Sequence, residues 1–224
     1  MGVGVNMSGL LLQVLPLALG AAVSPMLLIV QLLTLAGRKE QVRRALAITL
    51  GAGTVLALIT ALLLTVGQNL NTGSSGPDPV GAAIRGVCAA LLLFLGYRNV
   101  RKRGKPSSGY GKRFANVKLR GYFVGGGVIM LADFTSLILY IPAMHIIIRS
   151  SAGSSAQAAA VLMIYIFTML PLIVPLVIAV AMGSKSDHIL GSMNAFVTKH
   201  AAVINATICF AFAIYLAWGA YKSI

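Results

Sequence analysis

Acidic residues are almost missing: the 224-residue chain has four Asp and Glu against eighteen Lys and Arg, for a net charge of +14. Charged residues of both signs make up only 10%, beside 58% hydrophobic residues. That is too little polar surface to cover a water-soluble globule, so the chain reads as an integral membrane protein. The basic excess does not indicate nucleic acid, because the Lys and Arg are not interleaved with aromatics but lie almost wholly between apolar runs. There are two cysteines, Cys88 and Cys209, both inside apolar runs and without CxxC spacing. They say little about redox compartment and suit two buried small side chains. No metal-ligand cluster, nucleophile–base pair or nucleotide loop is visible, so neither an enzyme nor a cofactor is expected. His145 lies about 18 Å along a helix from Asp133, too far to share a metal. No Lys or Arg precedes Arg38. The first apolar run therefore lacks the basic start of a signal peptide, is too long for one, and is expected to stay in the membrane.

What is present is a set of apolar runs at 9–36, 45–67, 80–98, 121–148, 157–183 and 200–221. Each is near the roughly 20 residues that cross a bilayer, which predicts an all-α protein with six transmembrane helices. Connector Gly37–Arg44 carries Arg38, Lys39, Arg43 and Arg44, and the stretch Arg98–Arg120 is strongly basic with no acid. Connector Gln68–Pro79 has no basic residue, and Arg149–Ser155 has only Arg149. A fifth connector, with Lys185, Asp187, His188 and Lys199, returns to the basic side. The alternation predicts a multi-pass membrane protein with basic connectors in the cytoplasm and both termini outside.

Three helices (1–98), a basic linker (99–120) and three more helices (121–224) are the arithmetic of two inverted repeats. Each half opens on an interrupted helix. The first carries Ser24-Pro25; the second carries Asp133, with Pro142 beyond it. Ser24 and Asp133 fall about 21 and about 18 Å from the basic end, near the midplane. Broken helices meeting at mid-membrane in inverted repeats are a secondary-transporter signature.

Asp133 is the sharpest candidate, since a carboxylate at this depth costs at least a few kcal/mol. Helical spacing sets Asp133, Ser136 and Tyr140 on one stripe, with Thr135 beside it. A carboxyl withdrawn from water suits a proton relay or a cation site. The plainer role is to hold Ser136 or a broken helix end. Pro25 frees the Ala21 carbonyl, and the Ser24 hydroxyl can address freed backbone. Pro142, Pro171 and Pro175 are the candidate hinges, or else fixed kinks. Gly51, Gly53 and Gly125–Gly127 are read as close helix contacts. Arg85 is expected near an interface, where it can snorkel.

Three stretches carry a family likeness. They are Gly20-Ala21-Ala22-Val23-Ser24-Pro25-Met26-Leu27-Leu28-Ile29-Val30, Leu91–Arg98 with the basic run that follows, and Asp133-Phe134-Thr135-Ser136-Leu137-Ile138-Leu139-Tyr140. On these the chain resembles the LysE superfamily of six-span exporters, and within it the GAP family of sulfolipid-addressing and peptidoglycolipid-addressing proteins. Relatives in the wider superfamily carry an Asn-Pro-Lys break in helix four. This chain has Ala132-Asp133-Phe134-Thr135 instead, which favours the narrower branch over amino-acid export. The resemblance implies export of cell-envelope glycolipids across the inner (plasma) membrane, as transporter or transport factor; the central site read from the residues themselves is Asp133, Ser136, Tyr140, Thr135, Ser24 and Pro25. The partners it admits are membrane lipids, a larger lipid transporter and further copies of the chain.

Competing readings are a proton-coupled exporter of small cations or amino acids, a membrane thiol conductor, and a scaffold that recruits partners through its basic linker. The thiol reading fails on residues: Ser24 stands beside Pro25, and helix four has no cysteine.

Overall fold

The computed structural model describes residues 7–36, 40–70, 79–101, 118–183 and 186–221, and it is all-helical over them. The helices are α1 (Met7–Ala22), α2 (Pro25–Leu35), α3 (Gln41–Leu70), α4 (Pro79–Arg101), α5 (Leu119–Ala132), α6 (Phe134–Arg149), α7 (Ser154–Met182) and α8 (Ser186–Tyr221). The linker read from the sequence as 99–120 is narrower, because its first residues complete α4 and its last open α5. Residues 102–117 lie outside the described residues, as do Arg38, Lys39, Asp78 and Lys185.

Helices α3, α4, α7 and α8 are each long and apolar enough to cross a membrane. The pairs α1–α2 and α5–α6 are bent by 49° and 69°, and counting each as one span brings the total to six. Both bends are below a right angle, so the second helix carries on in the direction of the first. At 1.5 Å per residue each pair reaches about 37 Å end to end, more than the hydrocarbon thickness. The outward surface is aliphatic and aromatic, with Leu12, Leu58, Leu62, Val124, Ile214 and Trp218 all exposed. Such a surface is tolerated in lipid and not in water. The chain is a polytopic membrane protein.

The two bends have different origins. Pro25 has no N–H, and Ser24 turns to extended backbone ahead of it, so α1 must stop and α2 begin. The second bend falls at Asp133, whose backbone leaves the helical region without a proline. Pro142, expected to interrupt this span, lies inside the continuous α6. In lipid a missing proline bond is tolerated where neighbouring helices cover it, and Pro142 is buried.

The helices within residues 7–101 pack mainly on those within 118–221. Helix α1 packs on α7 as α5 packs on α3; α2 packs on α8 as α6 packs on α4; α2 touches α7 as α6 touches α3. Helices α4 and α8 pair with each other. At α3–α5 the backbones meet: a Cβ on Gly51 would strike the Phe123 carbonyl, and one on Gly126 the Ile48 carbonyl. Here glycine is required for close approach.

The bundle has two ends. At one, Arg44 at the start of α3 donates to the Tyr122 hydroxyl on α5 at 3.4 Å and lies 5.3 Å from its ring centroid. Leu32, Leu35, Ala45, Ala179 and Leu190 form a small core beside it. This end gathers the close of α2, the starts of α3, α5 and α8 and the close of α7. At the other, Ile148 packs where a Gly67 side chain would point, and Arg85 donates to the Gly219 carbonyl at 3.3 Å. Connector five is shorter than expected, since 186–199 belong to α8, a helix of 36 residues. A hydropathy window measures the apolar part of a helix, and the polar residues Ser192, Asn194, Thr198 and Lys199 are all compatible with a helix.

Candidate functional site

The two breaks meet. Ser24 caps α2 by accepting from the Leu27 N–H at 3.3 Å, which satisfies one of the donors a helix start leaves free. On the facing break, Ser136 lies in the first turn of α6 and donates its hydroxyl to the Ala21 carbonyl at 3.1 Å. That is the carbonyl Pro25 cannot serve. The orphan made by one broken helix is thus taken up by the other.

Asp133 sits in the gap between α5 and α6, only 4% exposed. Its backbone N–H closes α5 by donating to the Ile129 and Met130 carbonyls, and its carbonyl accepts from Leu137 N–H at 3.2 Å to open α6. Its carboxyl does not cap α6 as Ser24 caps α2. It is turned instead to the hydroxyls of Ser24 and Ser136. Because the Ser24 oxygen already accepts from Leu27, its hydrogen is free for the carboxyl. Oδ2 of Asp133 is buried with no partner among the described residues. The N-termini of α2 and α6 both open here, and each brings about half a positive charge. The site therefore offers a buried acceptor, two hydroxyls and two helix N-termini, with no cationic side chain bonded to it among the described residues.

Asp133, Ser136 and Ser24 are brought together as the spacing suggested, with Pro25 causing the break beside them. Tyr140 is not at the carboxyl: two turns on, wholly buried, its hydroxyl bonds Thr60 on α3 at 2.7 Å, and Thr60 donates on to the Leu56 carbonyl. Thr135 points to α8, donating to Asn205 Oδ1 at 3.3 Å, with the Cys209 thiol against it. Both cysteines are buried and free. Pro171 and Pro175 lie inside the continuous α7, both buried.

A family model for Sap, sulfolipid-1-addressing protein, matches residues 14–221. The chain belongs to this family. No curated protein and no solved structure matches it. The matched stretch spans both breaks and every residue of the site, so the Ser24–Asp133–Ser136 junction lies within what the family model describes.

One residue of this family member escaped the sequence reading as a candidate. Gln31 on α2 is wholly buried. Its Nε2 donates to the Leu172 carbonyl on α7 at 3.0 Å, to Thr49 Oγ1 at 3.2 Å and to the Ala45 carbonyl at 3.4 Å, while Oε1 has no partner among the described residues. An amide breaking an aliphatic run two turns after Ser24 was the available signal. Gln31 follows Ser24 by the same interval as Tyr140 follows Asp133. Both fasten the half-helix after a break to α3. Among the described residues no group of three or more His, Cys, Asp or Glu could hold a metal.

Proposed function

We propose that the chain is an inner-membrane transporter or transport factor for the export of cell-envelope glycolipids. Family membership supports a glycolipid-related membrane role. The finer reading rests on one observation: two broken helices interlock at a buried junction where an Asp133 oxygen lacks a partner among the described residues. A buried acceptor flanked by hydroxyls suits a hydroxyl-rich headgroup, and irregular backbone at this depth is tolerated where it lines such a site. In this reading the protein is not an enzyme. It spans the membrane six times as two inverted three-helix repeats, with both termini outside. The counterpart packing pairs and the matched Ser24–Gln31 and Asp133–Tyr140 intervals support that plan. Membrane lipids, a larger lipid transporter and further copies of the chain are the partners it admits.

The test is mass-spectrometric profiling of surface lipids in a deletion strain complemented with wild type or Asp133→Asn. Loss of a surface glycolipid on deletion, restored by wild type and not by the variant, is the expected result. Surface lipids unchanged by deletion would refute the proposal. The unpartnered Asp133 oxygen favours a second reading, proton-coupled export of a small cation or amino acid. That reading requires proton movement in proteoliposomes driven by such a solute and absent in Asp133→Asn.

A further inference from the structure

Helix α8 supplies a third wall to the junction of the broken helices. Asn205, Cys209 and Phe212 follow one another at intervals of four and three, so they share one face of α8. That face is turned to the junction. Phe212 puts its ring where a Gly20 side chain would point, beside Leu139 of α6. The Cys209 thiol lies against Thr135, within electrostatic reach of the Asp133 carboxyl. Asn205 Oδ1 accepts from the Thr135 hydroxyl at 3.3 Å. A thiol hydrogen given to the Thr135 oxygen leaves the hydroxyl hydrogen for Asn205, and both hydrogens of the Asn205 amide stay unused.

Asn205 differs from the other polar groups gathered at the junction. Ser24, Asp133, Thr135 and Ser136 are buried, whereas Asn205 is half-buried, and its Nδ2 has no partner among the described residues. The cluster therefore has an unused acceptor at its buried end, Asp133 Oδ2, and an unused donor at its accessible end. Polar groups withdrawn from water carry a cost until they are paired, and these two ask different things of a ligand. A metal cation or an ammonium group serves the acceptor but offers Nδ2 no lone pair. A sulfate or phosphate serves the donor and leaves the acceptor facing another anion. A hydroxyl both donates and accepts. The several hydroxyls of a sugar ring serve both ends at once.

We propose that Asn205 is a specificity-determining residue of the Asp133 site, and that the two together bind the hydroxyls of a sugar headgroup approaching on the α8 side. Asn205 donates to a sugar oxygen, and Asp133 accepts from a sugar hydroxyl. Assigning that headgroup to an exported lipid rests on the transport reading above, but recognition of the sugar does not.

The test uses the full-length protein in phosphatidylcholine nanodiscs doped with galactosyl diacylglycerol, plain diacylglycerol or a lipid with an ammonium headgroup, with retained lipid counted by native mass spectrometry. The galactosyl lipid is expected to be retained over plain diacylglycerol on the order of thirtyfold, for two hydrogen bonds of ordinary net strength. Asn205→Leu should lower that preference about fivefold. The same change at Asn194, on the same helix about 16 Å away, should leave it intact. Asn205→Leu with an undiminished preference overturns the proposal. So does a wild type indifferent to the sugar, which needs no variant to fold, or one that retains the ammonium lipid above the galactosyl lipid. Displacement by free methyl galactoside at the lipid's own concentration would assign the site to a soluble sugar and overturn the lipid headgroup. Altered surface lipids in the deletion strain with no sugar preference in nanodiscs would reject the Asn205 site and leave the transport reading standing. A sugar preference that falls in Asn205→Leu, with surface lipids unchanged by deletion, would do the reverse.

Discussion

Replacing Ser136 by alanine removes the hydroxyl that donates to the Ala21 carbonyl and leaves that carbonyl buried beside Pro25, which has no N–H to offer. A buried polar group deprived of its partner costs about 1–3 kcal/mol. Measured side-chain hydrogen bonds between membrane helices average nearer 0.6 kcal/mol and reach about 1.7. A loss of about 1–2 kcal/mol is therefore expected. For a domain of this size that lowers the thermal midpoint by roughly 2–8 °C, readable by thermal-shift assay of purified protein in detergent. The decisive arm is a double-mutant cycle with Pro25→Ala. An N–H restored at position 25 gives the Ala21 carbonyl a donor of its own, so Ser136→Ala should cost about 1 kcal/mol less in that background, a coupling well above the usual additivity error of about 0.3–0.5 kcal/mol. Equal costs in both backgrounds would show that Ser136 does not serve the carbonyl that Pro25 frees, and the account of the interlocked breaks would fall.

Thr60→Val should destabilise more than Tyr140→Phe by about 1 kcal/mol, because it strands the buried tyrosine hydroxyl whereas the reverse change leaves Thr60 bonded to the Leu56 carbonyl; equal midpoint shifts would contradict this. Gln31→Glu should be worse than Gln31→Leu, since a carboxyl oxygen would face the Ala45 and Leu172 carbonyls that now accept from Nε2. Its thermal midpoint should drop further as pH rises and that carboxyl loses its proton; a flat pH profile would count against the assigned amide orientation. Gly126→Ala should cost at least about 2 kcal/mol by forcing α3 and α5 apart, while Gly191→Ala, where a Cβ meets nothing, should be neutral or slightly stabilising.

The all-helical membrane fold was legible because apolar run length is the direct imprint of bilayer thickness. The first break was legible for a covalent reason, the missing N–H of Pro25. The second was half legible. The cost of Asp133 marked the place, yet Pro142 pointed to the wrong turn, since a proline bond lost inside a packed bundle need not end a helix. Partnerships such as Ser136 with Ala21, Gln31 with Leu172 and Thr135 with Asn205 were not legible. They join residues far apart in the chain, and only the packing of separate helices determines which hydroxyl meets which carbonyl. The start of α8 was missed because hydropathy reports where a helix lies in lipid rather than where it begins.

The glycine crossing of α3 and α5 has a mechanical consequence. Backbones in contact at Gly51 and Gly126 leave no side-chain layer to slide or re-rotamer, so this side of the bundle behaves as a stiff spine. The contact of α1 with α7 has no such seam among the described glycines, and α7 carries Pro171 and Pro175. Helices α3 and α5, by contrast, are set to move as one body, so any rearrangement of the bundle carries the two together.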